Sequence, residues 1–163
     1  MRIKKHFVVV LLSIFLQLAV ACSLSAPNMD GENWVIFSDK QARDLAIADW
    51  FIQPGQTAEY WTPSEEAVLT VEDRLIPFLQ KNPDRFYSQG TPVWERLDDY
   101  NRQYLGIVLD GKRLVYANYF CDSTGRDWKK DFVMVLDGGD CFFQFKYDVD
   151  SGEFFDLQVN GNA

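Results

Sequence analysis

The chain opens with a short basic stretch, Met1 to His6, and passes into an almost unbroken apolar run from Phe7 to Leu18, interrupted by Ser13 and Gln17. The run is short of the roughly 20 residues a membrane-spanning helix needs. Small residues, Ala19-Val20-Ala21, follow it. This three-part layout predicts a signal peptide over residues 1–21. Ser23 to Asn33 contains Ser, Ala, Pro, Asn, Asp and Gly with little apolar content, which predicts a flexible tether over residues 22–33. Fully extended, the tether would reach about 35 Å. A single folded domain is then expected over residues 34–163.

The first part of the domain has helical periodicity. Ser38-Asp39-Lys40-Gln41 forms a capping box, and Ala42, Leu45, Ala46 and Trp50 follow at helical spacing until Pro54-Gly55. Thr62-Pro63-Ser64-Glu65 predicts a second start, with Thr62 as the cap and Pro63 in the first helical position. Val68, Val71, Leu75, Phe78 and Leu79 then make one apolar stripe. Pro77 lies inside it and predicts a kink or a break, because proline lacks the N–H and crowds the carbonyl of Asp73. Thr91-Pro92 with Trp94 and Leu97 suggests a further short helix.

From Tyr100 the period changes to two. Gln103 to Leu109 and Lys112 to Phe120 flank Asp110-Gly111, a pair suited to the positive φ values of a tight hairpin turn. Asp131 to Leu136 and Cys141 to Tyr147 flank Asp137-Gly138-Gly139-Asp140, and Asp150-Ser151-Gly152 leads into Phe154 to Val159. Strands joined by such short turns predict an antiparallel meander of about five strands, and helices gathered before it predict the α+β class. Phe143, Phe145 and Tyr147 should share one face, with Gln144 and Lys146 on the other. Phe155, Leu157 and Val159 should likewise oppose Asp156 and Gln158. The run from Phe132 to Leu136 is apolar on both faces and predicts a central, doubly covered strand.

Composition adds a compartment. The 163 residues hold 24 Asp and Glu against 16 Lys and Arg, for a formal net charge of −8, and Arg2, Lys4 and Lys5 belong to the leader. So acidic a field repels phosphate backbones, which argues against a nucleic-acid partner. Leu18-Ala19-Val20-Ala21-Cys22 resembles the lipobox of bacterial lipoproteins, departing from it at Ala19, where that family usually has leucine. The resemblance implies diacylation of Cys22 as the new N-terminus. Ser23 after it implies delivery to the outer membrane, facing the periplasm, where the cell has one. Ala19-Val20-Ala21 also suits ordinary cleavage, which would leave a soluble secreted or periplasmic protein.

Candidate chemistry is narrowed by one absence: the only histidine, His6, lies in the leader. Its removal eliminates Ser-His-Asp and Cys-His nucleophiles and histidine-bound zinc. Cys121 and Cys141 are a candidate disulfide in an oxidising compartment, worth roughly 3 kcal/mol for a loop of about 20 residues. In a plain meander they would fall at opposite ends of the sheet, so bridging requires a bulge, a short intervening strand or another strand order. No motif holds a cofactor, and two lone cysteines do not make a metal site. Asp137, Asp140, Asp148, Asp150 and Glu153 could converge on calcium or act as an acid and base pair, although tight turns favour Asp and Gly for local reasons. Trp128 sits in the polar loop Ser123 to Lys130 beside Arg126, Lys129 and Lys130, a possible binding surface and the one basic spot in an acidic chain. The expectation is an envelope interaction module, without catalytic residues, that is tethered by its lipid and binds a protein or peptide. The alternative is a carboxylate-dependent hydrolase or carbohydrate-binding protein acting on envelope polysaccharide.

Overall fold

The computed structural model describes residues 32–47, 52, 57–87 and 90–161; the signal segment, Cys22, most of the tether, Trp50 and Pro54-Gly55 lie outside the described residues. The class is α+β. Among the described residues one sheet of six strands forms, and it is mixed rather than a plain meander. Its centre is the expected hairpin, β3 (Asn101–Leu109) and β4 (Lys112–Phe120). Asp110 and Gly111 both take positive φ, +52° and +77°, as the tight turn requires. β5 (Phe142–Asp148) pairs antiparallel with β4, and β6 (Glu153–Val159) with β5. The outer edge of β3 is shared by two three-residue strands. β1 (Trp34–Ile36) runs parallel to β3 against Arg102 to Tyr104, and β2 (Glu59–Trp61) runs antiparallel against Gly106 to Val108.

Helix α1 (Asp39–Asp44) keeps its capping box: Ser38 accepts from the Gln41 N–H, and Gln41 Oε1 accepts from the Ser38 N–H. The helix is shorter than the spacing suggested. Leu45 already caps its end, and Ala46 takes φ +48°. α2 (Glu65–Gln80) is capped by Ser64 rather than Thr62. Thr62 Oγ1 instead accepts from Asp39 N–H at 2.9 Å, so it satisfies an orphan donor at the start of the other helix. Pro77 does not interrupt α2. Pro77 and Asp73 both face solvent, where water can take the carbonyl that the proline leaves unbonded. Three 3-10 turns follow, at Pro83–Arg85, Val93–Glu95 and Leu97–Asp99, in place of one further helix.

The sheet is covered on both sides. On the inner face Val68, Val71, Leu75 and Leu79 of α2 pack on Tyr104, Val115, Ala117, Tyr119, Phe143, Phe145 and Tyr147. The half-buried Trp61 lies over Gly106, where a Cβ would come within 2.6 Å of the indole ring. On the outer face Phe37, Ala42 and Ile47 join Leu105, Ile107, Leu114, Tyr116 and Phe132.

The predicted central strand at Phe132 to Leu136 does not exist. The segment is irregular, with Phe132 and Val133 buried and Leu136 87 % exposed. Its backbone is held by sheet side chains instead of a ladder. Gln103 Oε1 accepts from Val133 N–H, Gln103 Nε2 donates to the carbonyls of Trp128 and Asp131, and Asn118 Nδ2 donates to that of Val133. Burial made these residues apolar; the side-chain amides beneath them removed any need for strand partners. Because the segment between Cys121 and Cys141 contributes no strand, β4 and β5 are direct neighbours and Phe120 faces Phe142. The two cysteines therefore meet at the same end of the sheet, bridged, with Cα atoms 5.1 Å apart. Asp140 and Cys141, expected at the end of a hairpin, form a 3-10 turn.

The β5 faces follow the pattern expected for Phe143, Phe145 and Tyr147, all buried. Those of β6 do not. Gln144 pairs with Gln158 and Lys146 with Phe155, so Asp156 and Leu157 together face Phe145 in a bulge, with Asp156 at φ +55°. The extra residue turns Phe154 into the core and leaves Phe155 37 % exposed on the other side. Lys146, expected at the surface, is buried and paired with Asp156.

Candidate functional site

Two constellations stand out, one sealed and one open. The sealed one joins α2 to the sheet. Glu72 Oε1 accepts from both Tyr104 OH and Tyr119 OH, the latter at 2.8 Å, and the two phenol oxygens lie 2.7 Å apart. Arg102 Nε stands 3.3 Å from the same oxygen without hydrogen-bond alignment, and Arg102 Nη2 donates to Leu97 O. Its guanidinium also lies 5.4 Å from the centre of the Tyr119 ring. Burial pushes both phenols well above their ordinary range and the Glu72 carboxylate raises both further; Tyr119 also raises Tyr104, whereas Arg102 and the hydrogen bond with Tyr104 pull Tyr119 partly back. Burial works against the Arg102 cation, but the Glu72 carboxylate and the phenols outweigh it and raise its pKa. The carboxylate, the two phenols and the guanidinium are turned on one another, so the chemistry of this knot is cohesion. Nearby, Tyr100 donates to Asp140 O at 2.6 Å, and burial pushes its phenol up to about 12.

The open constellation is a groove between α2 and the β5–β6 hairpin. Its middle, about 430 Å³, is lined by Asp73, Arg74, Pro77, Phe78, Lys81, Gly152, Glu153 and Phe154. A second stretch continues past the same two phenylalanines to Asn82, Arg85 and Phe155 to Leu157. A third lies toward the start of α2, beside Thr70 and Tyr147. Phe78 and Phe154 stack with ring centres 4.7 Å apart and form the floor. Among the described residues β6 has a strand neighbour only on its β5 side, so the groove runs along a free sheet edge. Arg85 Nη2 donates to Leu157 O at 2.6 Å and closes part of that edge. Asp156 is partly buried, which opposes ionisation. Hydrogen bonds from Lys146 and Gln158 and the charges of Lys146 and Arg85 overcome this and lower its pKa.

The residues singled out from sequence are not brought into one place. Trp128 is half-buried under its own loop, edge-on to Phe120, with Lys129 Nζ 5.3 Å above its ring. Lys130 pairs with Asp127. Arg126 lines a separate cleft with Leu45, Asp131, Phe132 and Met134. Two of the turn carboxylates already hold backbone N–H groups. Asp148 Oδ1 accepts from the N–H groups of Asp150 and Ser151, which together with Lys112 lowers its pKa. Asp140 Oδ1 accepts from Tyr87 N–H. Among the described residues no group of three or more His, Cys, Asp or Glu is placed to hold a metal ion. Neither the knot nor the groove carried a sequence signal, since each joins α2 to strands far along the chain. Comparison of the chain with protein-family models, with curated proteins and with solved structures finds no match.

Proposed function

We propose that this chain is an exported, lipid-anchored interaction module of the cell envelope that holds an extended segment of a partner protein in the groove between α2 and β6. The observation that carries the reading is the groove itself: an aromatic floor, charged walls and a free strand edge, the combination that extended peptides exploit. The leader and the lipobox-like Leu18 to Cys22 support the address. The acidic balance argues against nucleic acid as the partner. A catalytic reading draws less support, because Asp148 already serves its turn, Asp140 holds the Tyr87 N–H, and Glu72 of α2 is engaged by Tyr104, Tyr119 and Arg102.

Two measurements test the proposal. A photo-crosslinking phenylalanine at position 81, in the groove, should trap an envelope protein in living cells, while the same group at position 40, on α1, should not. Equal trapping at both positions, or none at position 81, would overturn the groove reading. Mass spectrometry of the mature N-terminus should find a diacylated Cys22; an unmodified cysteine there would remove the anchor.

A further inference from the structure

Arg74, in the middle of the groove described above, is held in a fixed direction. Arg74 Nη1 donates to Tyr147 OH at 2.8 Å, and its guanidinium lies 5.7 Å from the centre of the Tyr147 ring. Gly152 makes room for it: a Cβ there would come within 2.6 Å of Arg74 Nη1. A guanidinium has five N–H donors and the phenol takes one. Among the described residues Arg74 has no carboxylate within ion-pair distance, in a chain of net charge −8 that pairs Arg102 and Lys146 with acids. A positioned, solvent-facing guanidinium with spare donors, next to the stacked Phe78 and Phe154, matches a planar carboxylate beside an apolar side chain.

We propose that Arg74 is the recognition residue of the groove and that its ligand is an extended peptide carrying a single carboxylate, flanked by aromatic or aliphatic residues that lie on Phe78 and Phe154. This rests on the groove reading given above. Asp73 and Glu153 stand on the same rim, so a run of acidic residues would be repelled and one isolated carboxylate is favoured. The 16 residues of α2 that flank the groove measure about 24 Å, the length of about seven residues of extended chain. Because open stretches lie on both sides of Arg74, the carboxylate is an acidic side chain within a segment that passes through the groove rather than the end of a chain.

The test uses the mature chain, isotopically labelled, titrated with three synthetic heptapeptides and followed by amide shifts. The first is acetyl-Thr-Phe-Val-Asp-Val-Phe-Thr-amide. The second replaces Asp by Asn, and the third is the Asn peptide with a free C-terminus. We expect shifts clustered at Arg74, Phe78 and Phe154, with the Asn amide about tenfold weaker than the Asp peptide. The third peptide should stay as weak as the Asn amide; if it regains the affinity, the assignment to an acidic side chain is overturned. Arg74→Gln should remove the tenfold preference and Arg74→Lys should keep part of it. Because the preference is read between ligands on one protein, a loss of stability in the variant does not obscure it. Equal binding of all three peptides in the groove would overturn the role of Arg74 and leave the groove reading standing. Shifts elsewhere, or none at millimolar peptide, would overturn both.

Discussion

The two faces of the sheet are covered by different means. On the inner face α2 satisfies its own backbone hydrogen bonds, so the strand residues beneath it are almost all apolar or aromatic. The polar groups there, Glu72, Tyr104, Tyr119 and Arg102, answer one another rather than the helix backbone. On the outer face the cover near β4 is an irregular segment with no ladder of its own, and the sheet supplies what it lacks. Gln103, fully buried, and Asn118, 2 % exposed, are polar residues in the middle of strands because the carbonyls and N–H groups above them need partners. A buried amide in a strand therefore marks a cover without regular structure.

The sharpest way to break this contrast is to remove the centre of the inner knot. Glu72→Ala leaves Arg102 buried without its acid and two phenols without their acceptor, and should cost about 3 kcal/mol, read from the urea midpoint. A loss below about 1 kcal/mol would show that the apolar stripe alone holds α2. The same knot should respond to alkali. Tyr104 and Tyr119 have pKa values in the folded state above the ordinary value of 10.0, so they favour folding fully below that pH. The contribution is lost as pH rises from there toward their folded values. Stability measured from pH 8 to 12 should be flat at first and fall beyond about pH 10, and a Tyr104→Phe, Tyr119→Phe double variant should fall less steeply.

On the outer face, Gln103→Leu keeps the bulk and removes the amide. The Val133 N–H and the carbonyls of Trp128 and Asp131 lose their partner, with an expected cost of about 2 kcal/mol and faster hydrogen exchange at Val133. Exchange unchanged at Val133 would mean that burial, rather than the amide, orders the segment. The smallest effect on stability belongs to Arg85→Ala, below about 1 kcal/mol, because its partner Leu157 O can turn to water. Its visible consequence should be self-association through the opened β6 edge, detected by sedimentation at rising concentration. A variant that stays monomeric would show that the Asp156 bulge alone protects the edge.

Features whose cause is local were legible in the sequence. The Asp110-Gly111 turn and the Ser38 capping box depend on neighbours within four residues, and both stand where the pattern put them. The sequence misleads at Phe132 to Leu136 because a continuous apolar run reports burial and cannot report which groups bond the backbone; Gln103 is 30 residues from Val133. The β6 faces were misread because one bulged residue, Asp156, shifts every side chain before it to the opposite face. β1 and β2, three residues each, are too short to show a period. The candidate site fared worst. Trp128 and its basic neighbours were visible as composition, yet Trp128 turns inward, while the groove unites α2 with a hairpin some 70 residues on. Gly152 was legible as a turn residue but not as the gap that admits Arg74.

The Cys121–Cys141 bridge closes the excursion that carries the outer cover. A protease that severs any single peptide bond between those cysteines produces two fragments that cannot separate while the sulfurs remain joined. Such nicked material would migrate as one band on a non-reducing gel and resolve into two once a thiol is added. Exposed turns around Gly125, bordered by Arg126, Lys129 and Lys130, offer trypsin its targets there.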